Sequence, residues 1–264
     1  MKLSSSGRGP LVVKLAGAAG GVRVFREEMD AAVAAGFRVA ALDTSGDRHD
    51  DPVRLPLSWD FFADEVLRAL DRLDGAAAVL WGTSFGCLVA LATAARHPER
   101  VQGLLLCHPP DPLWRPSVYR ALLRWTLRRS NPNLAAGILF RVVFALLAGW
   151  EFYYPAALVR FPALAREGLA ARTPTSTVRQ KLLLMWENDP PGQPPAGARI
   201  PTSIVAGAWD TIAPPSGARR LAARLPEARL RMLGFSGHLG AYSRPSSYSR
   251  IAVEELRSMT RTGD

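Results

Sequence analysis

A serine framed by glycines is the first place in this chain where residue types could do covalent chemistry. Gly82-Thr83-Ser84-Phe85-Gly86 stands between an apolar run at residues 76–81 (AAAVLW) and an apolar helical pattern at residues 85–96. A nucleophilic serine is held out on a strained strand-to-helix turn of this kind, and flanking glycines remove the side chains that would clash there. A serine hydroxyl is a poor nucleophile until a base takes its proton, so the chain must also supply a histidine and a group that orients it.

There are four histidines. His49 lies in a polar loop and reads as solvated. His97 precedes Pro98 at the end of the helical pattern, where it suits a helix C-terminus. His108 ends an apolar run beside Pro109 and Pro110, where it could line a pocket. His238 follows the last apolar run in Gly234-Phe235-Ser236-Gly237-His238, and a glycine-rich loop can deliver a side chain to a sheet edge. In an architecture of alternating strands and helices such as the one this sequence implies, the order nucleophile, acid, histidine places the base last, which selects His238 over His108. The acid then falls between Ser84 and His238. Asp210 follows an apolar run at residues 202–206 (TSIVA), with Asp111 as its rival after the preceding run.

Negative charge developing on a substrate oxygen needs preorganised donors, usually two backbone N–H groups. Phe85, next after the serine, supplies one by position. The loop Ala16-Gly17-Ala18-Ala19-Gly20-Gly21 supplies the other, from Ala18 or else Ala19. That loop lacks the G-x-G-x-x-G spacing and the lysine of a phosphate cradle.

The elements that must position these groups are legible as alternation. Short apolar runs at residues 11–16, 37–42, 76–81, 101–107, 202–206 and 228–233 are mostly continuous, as strands covered on both faces should be. Helical patterns at residues 22–35, 59–73, 85–96, 215–225 and 248–259 separate them. Strand alternating with helix implies an α/β fold with a mostly parallel sheet and right-handed crossovers. The alternation stops after Cys107. Residues 111–199 read as a helical insertion over the carboxyl edge of the sheet, interrupting a core made of residues 1–110 and 200–264. Helical stretches are expected near 118–129, 134–148, 154–172 and 177–187, and disorder at residues 1–9 and 261–264.

Composition limits the partners. The net charge is +10, which would favour polyanions if clustered. The lysines are only Lys2, Lys14 and Lys181, and the arginines are scattered, so no nucleic-acid partner is expected. Cys87 and Cys107 both sit in apolar runs and form no disulfide framework, which suits a reducing cytoplasm. No secretory signal precedes the first strand. Residues 133–150 are apolar but short, and Arg141 sits in their middle, so no transmembrane segment is expected. No metal-ligand spacing occurs, and neither a metal nor an organic cofactor is expected. Oligomeric state is left open.

Taken together, LWGTSFGCLVALATAARHPERVQGLLL, IVAGAWDTIAPPSGARRLAARLPEARLRML and GFSGH resemble the α/β-hydrolase fold family, with a similarity running from Leu11 to the final helix. The resemblance implies a catalytic triad of Ser84, Asp210 and His238, an oxyanion hole of Ala18 and Phe85, and a cap formed by the insertion. Ala16-Gly17 replaces the family's usual His-Gly pair, and with only ten residues ahead of Leu11 the N-terminal antiparallel hairpin is nearly absent. The implied activity is hydrolysis of a carboxylic ester or thioester of a lipophilic small to medium molecule through an acyl-enzyme. Trp114, Trp125 and Val142 of the insertion, with Trp209 beside the acid, are its expected substrate-binding residues. The same cavity could also serve transfer, cyclisation, carbon–carbon cleavage or perhydrolysis, or ligand binding without turnover.

Overall fold

The computed structural model describes residues 1–48, 56–111, 173–187, 191–195 and 197–260. Its centre is a seven-stranded sheet: β1 (Lys2–Ser6), β2 (Leu11–Leu15), β3 (Arg38–Asp43), β4 (Ala78–Thr83), β5 (Val101–Cys107), β6 (Thr202–Gly207) and β7 (Ala228–Leu233). The spatial order is β1-β3-β2-β4-β5-β6-β7, with every neighbouring pair parallel except β1 against β3.

The six strands legible as apolar runs lie within two residues of their expected bounds. Their continuous hydrophobicity has a simple cause, because alternate residues of each strand feed cores on opposite faces. Val13, Leu15, Ala40, Leu80, Leu104, Leu106 and Ile204 pack on one face under α2 (Trp59–Arg72) and α3 (Phe85–Arg96). Val12, Val39, Val79, Trp81, Leu105 and Val205 pack on the other, under α1 (Arg26–Ala34) and a C-terminal helix, Pro245–Thr260. Burying each such Val, Leu or Ile side chain contributes about 1.5–3 kcal/mol. The start of α2 is set by Ser58, whose hydroxyl accepts the Phe61 N–H at 3.0 Å, a cap of about 1 kcal/mol.

The N-terminus departs from expectation. Residues 2–6 are not disordered but form the antiparallel edge strand, in register from Lys2 opposite Asp43 to Ser6 opposite Val39. Its sequence, KLSSS, carries no apolar alternation because an edge strand is held chiefly by backbone ladder bonds, and its polar face discourages further pairing.

The remaining described helices are α4 (Thr175–Glu187), α5 (Pro215–Arg224), the short α6 (Gly240–Ser243) and α7 (Pro245–Thr260). Only α4 represents the expected helices of the insertion; those at 118–129, 134–148 and 154–172 lie outside the described residues, as do residues 261–264. No helix among the described residues is long and apolar enough to cross a membrane.

Two of the three lysines are interior. Lys14, in the middle of β2, is fully enclosed and bonds Glu28 of α1 at 3.0 Å and the Thr83 hydroxyl at 2.9 Å, with its ammonium 3.9 Å from the Trp81 ring centroid. Lys181 of α4 is also buried, paired with Asp47 in the loop after β3, and Asp47 in turn accepts from the Thr44 N–H and hydroxyl. The first pair ties α1 to β2 and to Thr83 beside Ser84, and the second ties α4 to the loop after β3. The signal for the first was a lone lysine inside LVVKLA.

Candidate active site

Every group singled out above for catalysis sits at the carboxyl edge of the parallel strands, where open α/β sheets place their sites. Ser84 follows β4 directly and opens α3. Its backbone takes φ 52° and ψ −119°, a left-handed conformation that a side-chain-bearing residue adopts only under constraint. The constraint is visible on both sides. The Ser84 N–H bonds the Cys107 carbonyl at 2.9 Å, and its carbonyl accepts the Cys87 N–H at 2.9 Å. A Cβ at Gly82 would stand 2.5 Å from the Gly86 oxygen, and one at Gly86 would stand 2.4 Å from the Leu15 oxygen. The two glycines are therefore steric necessities of the turn.

The turn aims the hydroxyl at His238, whose Nε2 lies 3.1 Å from Ser84 Oγ. His238 Nδ1 lies 2.9 Å from Asp210 Oδ2. A carboxylate only accepts, so His238 carries its proton on Nδ1, and Nε2 accepts the serine O–H. The Asp210 Oδ1 atom accepts the Ile212 and Ala213 N–H groups at 2.9 and 2.7 Å. Burial by itself would raise the Asp210 carboxyl, but the two histidines beside it outweigh that and hold it well below the usual carboxylate range. Asp210 is enclosed, while His238 keeps a side-chain exposure of 8% and is the member of the pair that can reach a substrate.

The second histidine is His108. It does not line a pocket; its ring is fully buried behind Asp210, with Nδ1 2.9 Å from the same Oδ2 that serves His238. Sequence reasoning missed this contact because it depends on β5 and β6 being neighbours. The rival acid, Asp111, is instead bound by Arg220 of α5, with Nε 2.8 Å from Oδ2. His97 caps α3, its N–H bonding the Thr93 carbonyl, and His49 lies outside the described residues.

Phe85 is the first residue of α3, and N–H groups in a helix's first turn have no acceptor within the helix. Ala18 is half-buried against Val178 and Leu182 of α4. The Ala18 loop reaches Ser84, since a Cβ on Gly17 would come within 3.5 Å of the Ser84 Cβ. Trp209 is 58% exposed and stacks on Phe235, 71% exposed, with ring centroids 6.0 Å apart. Trp114, Trp125 and Val142 lie outside the described residues.

Among the described residues, His108, Asp210 and His238 are the group whose ligand atoms lie close enough to hold a metal ion. Those atoms are engaged with one another, so a metal would have to break the bonds that orient His238. Cys87 and Cys107 are buried and free, and burial pushes the Cys107 thiol up to about 12.

Comparison with known proteins agrees with this architecture. The chain is 32% identical over 88% of its length to polyketide synthase ThaQ of Burkholderia thailandensis, of which it spans only 11%. It is 30% identical over 68% of its length to the pimeloyl-[acyl-carrier protein] methyl ester esterase of Aromatoleum aromaticum, covering 74% of that protein. A thermophilic esterase from Thermogutta terrifontis superposes with a TM-score of 0.78 at 21% identity, over 98% of this chain and 93% of the esterase. A serine on a glycine-framed turn at the carboxyl edge of a parallel sheet is thus accompanied by a match to the alpha/beta hydrolase fold over residues 10–245, and the chain belongs to that family.

Proposed function

We propose that the chain is a serine hydrolase acting on a carboxylic ester or thioester of a lipophilic small to medium molecule. The observation that carries the reading is the line from Ser84 Oγ to His238 Nε2 at 3.1 Å and from His238 Nδ1 to Asp210 Oδ2 at 2.9 Å, with the serine on a strained turn. The activity of the Aromatoleum relative, esterase action on a methyl ester, supports the bond class.

In this reading Ser84 Oγ attacks the acyl carbon as His238 Nε2 takes its proton, and Asp210 stabilises the imidazolium. The carbonyl oxygen gains the negative charge and receives the N–H groups of Phe85 and Ala18. His238 then returns the proton to the departing alkoxide or thiolate, leaving an acyl-enzyme. Water, deprotonated by the same nitrogen, then attacks the acyl carbon; the Ser84 Oγ–acyl bond breaks, Ser84 takes the proton back from His238, and the acid is released. Residues 111–199 act as a cap on the core of 1–110 and 200–264, with Trp114, Trp125 and Val142 shaping the acyl pocket and Trp209 at its rim. The substrate is a small molecule and the compartment the reducing cytoplasm, a setting that suits two buried free thiols.

The test is a chain-length series of p-nitrophenyl and coenzyme-A esters run with the parent and Ser84→Ala, alongside covalent labelling by a fluorophosphonate. Ester turnover and Ser84 labelling that both vanish in the variant support the reading. A labelled parent that hydrolyses no ester but passes the ester's acyl group to an alcohol or peroxide would redirect it to transfer chemistry. A parent that resists labelling would point to ligand binding without turnover.

A further inference from the structure

Asp210 is gripped from two sides. His108, the residue after β5, has φ 55° and a ring with no exposure. Its Nδ1 and that of His238 both lie 2.9 Å from Asp210 Oδ2, and the two rings meet edge to face with centroids 5.5 Å apart. Behind it, His108 Nε2 is 2.8 Å from the Tyr248 hydroxyl of α7, which is 2.9 Å from Ser236 Oγ in the loop that carries His238. The Tyr248 ring stacks on His108 at 5.4 Å. This cluster is closely enclosed, since a Cβ on Gly240 would fall 2.2 Å from Ser236 Oγ and 2.4 Å from the Tyr248 oxygen.

We propose that His108, held by Tyr248 and Ser236, is a positioning residue for the Ser84 reaction, fixing the Asp210 carboxylate and taking a share of its charge away from His238. The inference rests on the reading of Ser84, His238 and Asp210 as a catalytic set. The proton directions follow from the donors and acceptors present. Asp210 only accepts, so His108 donates from Nδ1. In that neutral tautomer His108 Nε2 accepts the Tyr248 O–H, and the Tyr248 oxygen accepts the Ser236 O–H. A strained backbone at His108 is maintained because both ring nitrogens are bonded, and strain of this kind collects where function needs a fixed geometry.

The consequence concerns the base. Among the described residues, the titratable groups facing His238 include Asp210 from the loop after β6 and His108 from the end of β5, with the Ser84 hydroxyl opposite and Tyr248 behind His108. An N–H bond from His108 spreads the Asp210 charge, so the carboxylate supports the His238 imidazolium less strongly. His238 then stays unprotonated, and able to act as base, down to lower pH. Removing the His108 donor concentrates that charge on His238 and raises the pH at which it titrates.

The experiment measures the second-order rate of Ser84 phosphonylation by a fluorophosphonate across pH for the parent, His108→Leu, His108→Asn and Tyr248→Phe. In His108→Leu the rate should fall by about tenfold or more, and the acid limb should move up by about one pH unit. His108→Asn can place an amide N–H near the former Nδ1 and should keep the parental limb. Tyr248→Phe, nearly isosteric, should move the limb in the same direction by less, and it decides the matter if His108→Leu does not fold. A slower His108→Leu with an unmoved limb would reduce His108 to a packing role and overturn the inference, as would parental profiles in both variants. A parent that is not labelled at Ser84 would instead remove the nucleophile assignment on which the inference stands.

Discussion

Replacing Asp210 by asparagine should cost more here than loss of charge alone, because the carboxylate has donors on both oxygens. Oδ1 accepts from Ile212 and Ala213, and Oδ2 accepts from His108 and His238. An amide has one accepting oxygen. With that oxygen in the Oδ2 place, its NH2 faces two backbone N–H groups; turned round, it faces two ring nitrogens and drives His238 towards the tautomer with its proton on Nε2, which cannot accept from Ser84. In the first arrangement two donors lose their acceptor, at about 1–3 kcal/mol each, giving roughly 2–6 kcal/mol against a total stability of about 5–15 kcal/mol. Turnover should fall by about 10⁴-fold, the loss seen for triad aspartates. The stability gap should depend on pH. The folded-state carboxyl lies below its unfolded value, so its contribution is present above about pH 4 and is lost as pH falls through the folded value. The parent–variant difference in urea midpoint should therefore be full at neutral pH and shrink on acidification. The assays are ester kcat/KM and urea unfolding at several pH values. Activity within tenfold of the parent, or a variant as stable as the parent at neutral pH, would refute the reasoning.

Ser84→Ala should lower ester turnover by several orders of magnitude with an unchanged unfolding curve, because only the group proposed to form the acyl-enzyme is lost; turnover within tenfold of the parent would end the nucleophile assignment. Asp111→Asn should change turnover by only a few-fold, since Asp111 is held by Arg220; a loss larger than that of Asp210→Asn would move the acid to the earlier strand. Lys14→Met should lower stability by about 3–5 kcal/mol by leaving Glu28 buried and uncompensated. The double change Lys14→Met with Glu28→Leu should recover much of that loss in the same urea measurement, and a single variant as stable as the parent would show that the pair contributes nothing.

The elements of this protein were legible in sequence wherever local physics sets them. Mostly continuous apolar runs marked six of the seven strands, since the inner strands are covered on both faces and the edge strand β7 still packs Ala228, Leu230 and Met232 against the core. The glycines at 82 and 86 marked the turn that carries Ser84, since no side chain fits at either position. The strand at residues 2–6 escaped notice because KLSSS has no hydrophobic pattern and depends on backbone pairing with β3. The interior ion pairs escaped for a related reason: a lysine's burial depends on a partner brought from elsewhere, from 14 residues away for Lys14 and 134 for Lys181. Chain order singled out Asp210 and His238 as companions for Ser84 but left His108 and Asp111 as rivals. Only the packed sheet separates their roles. It brings His238 to Ser84 across 154 residues and puts β5 beside β6, so that His108 meets Asp210 across 102. Such contacts belong to strand neighbours rather than to sequence neighbours, so no local pattern can encode them.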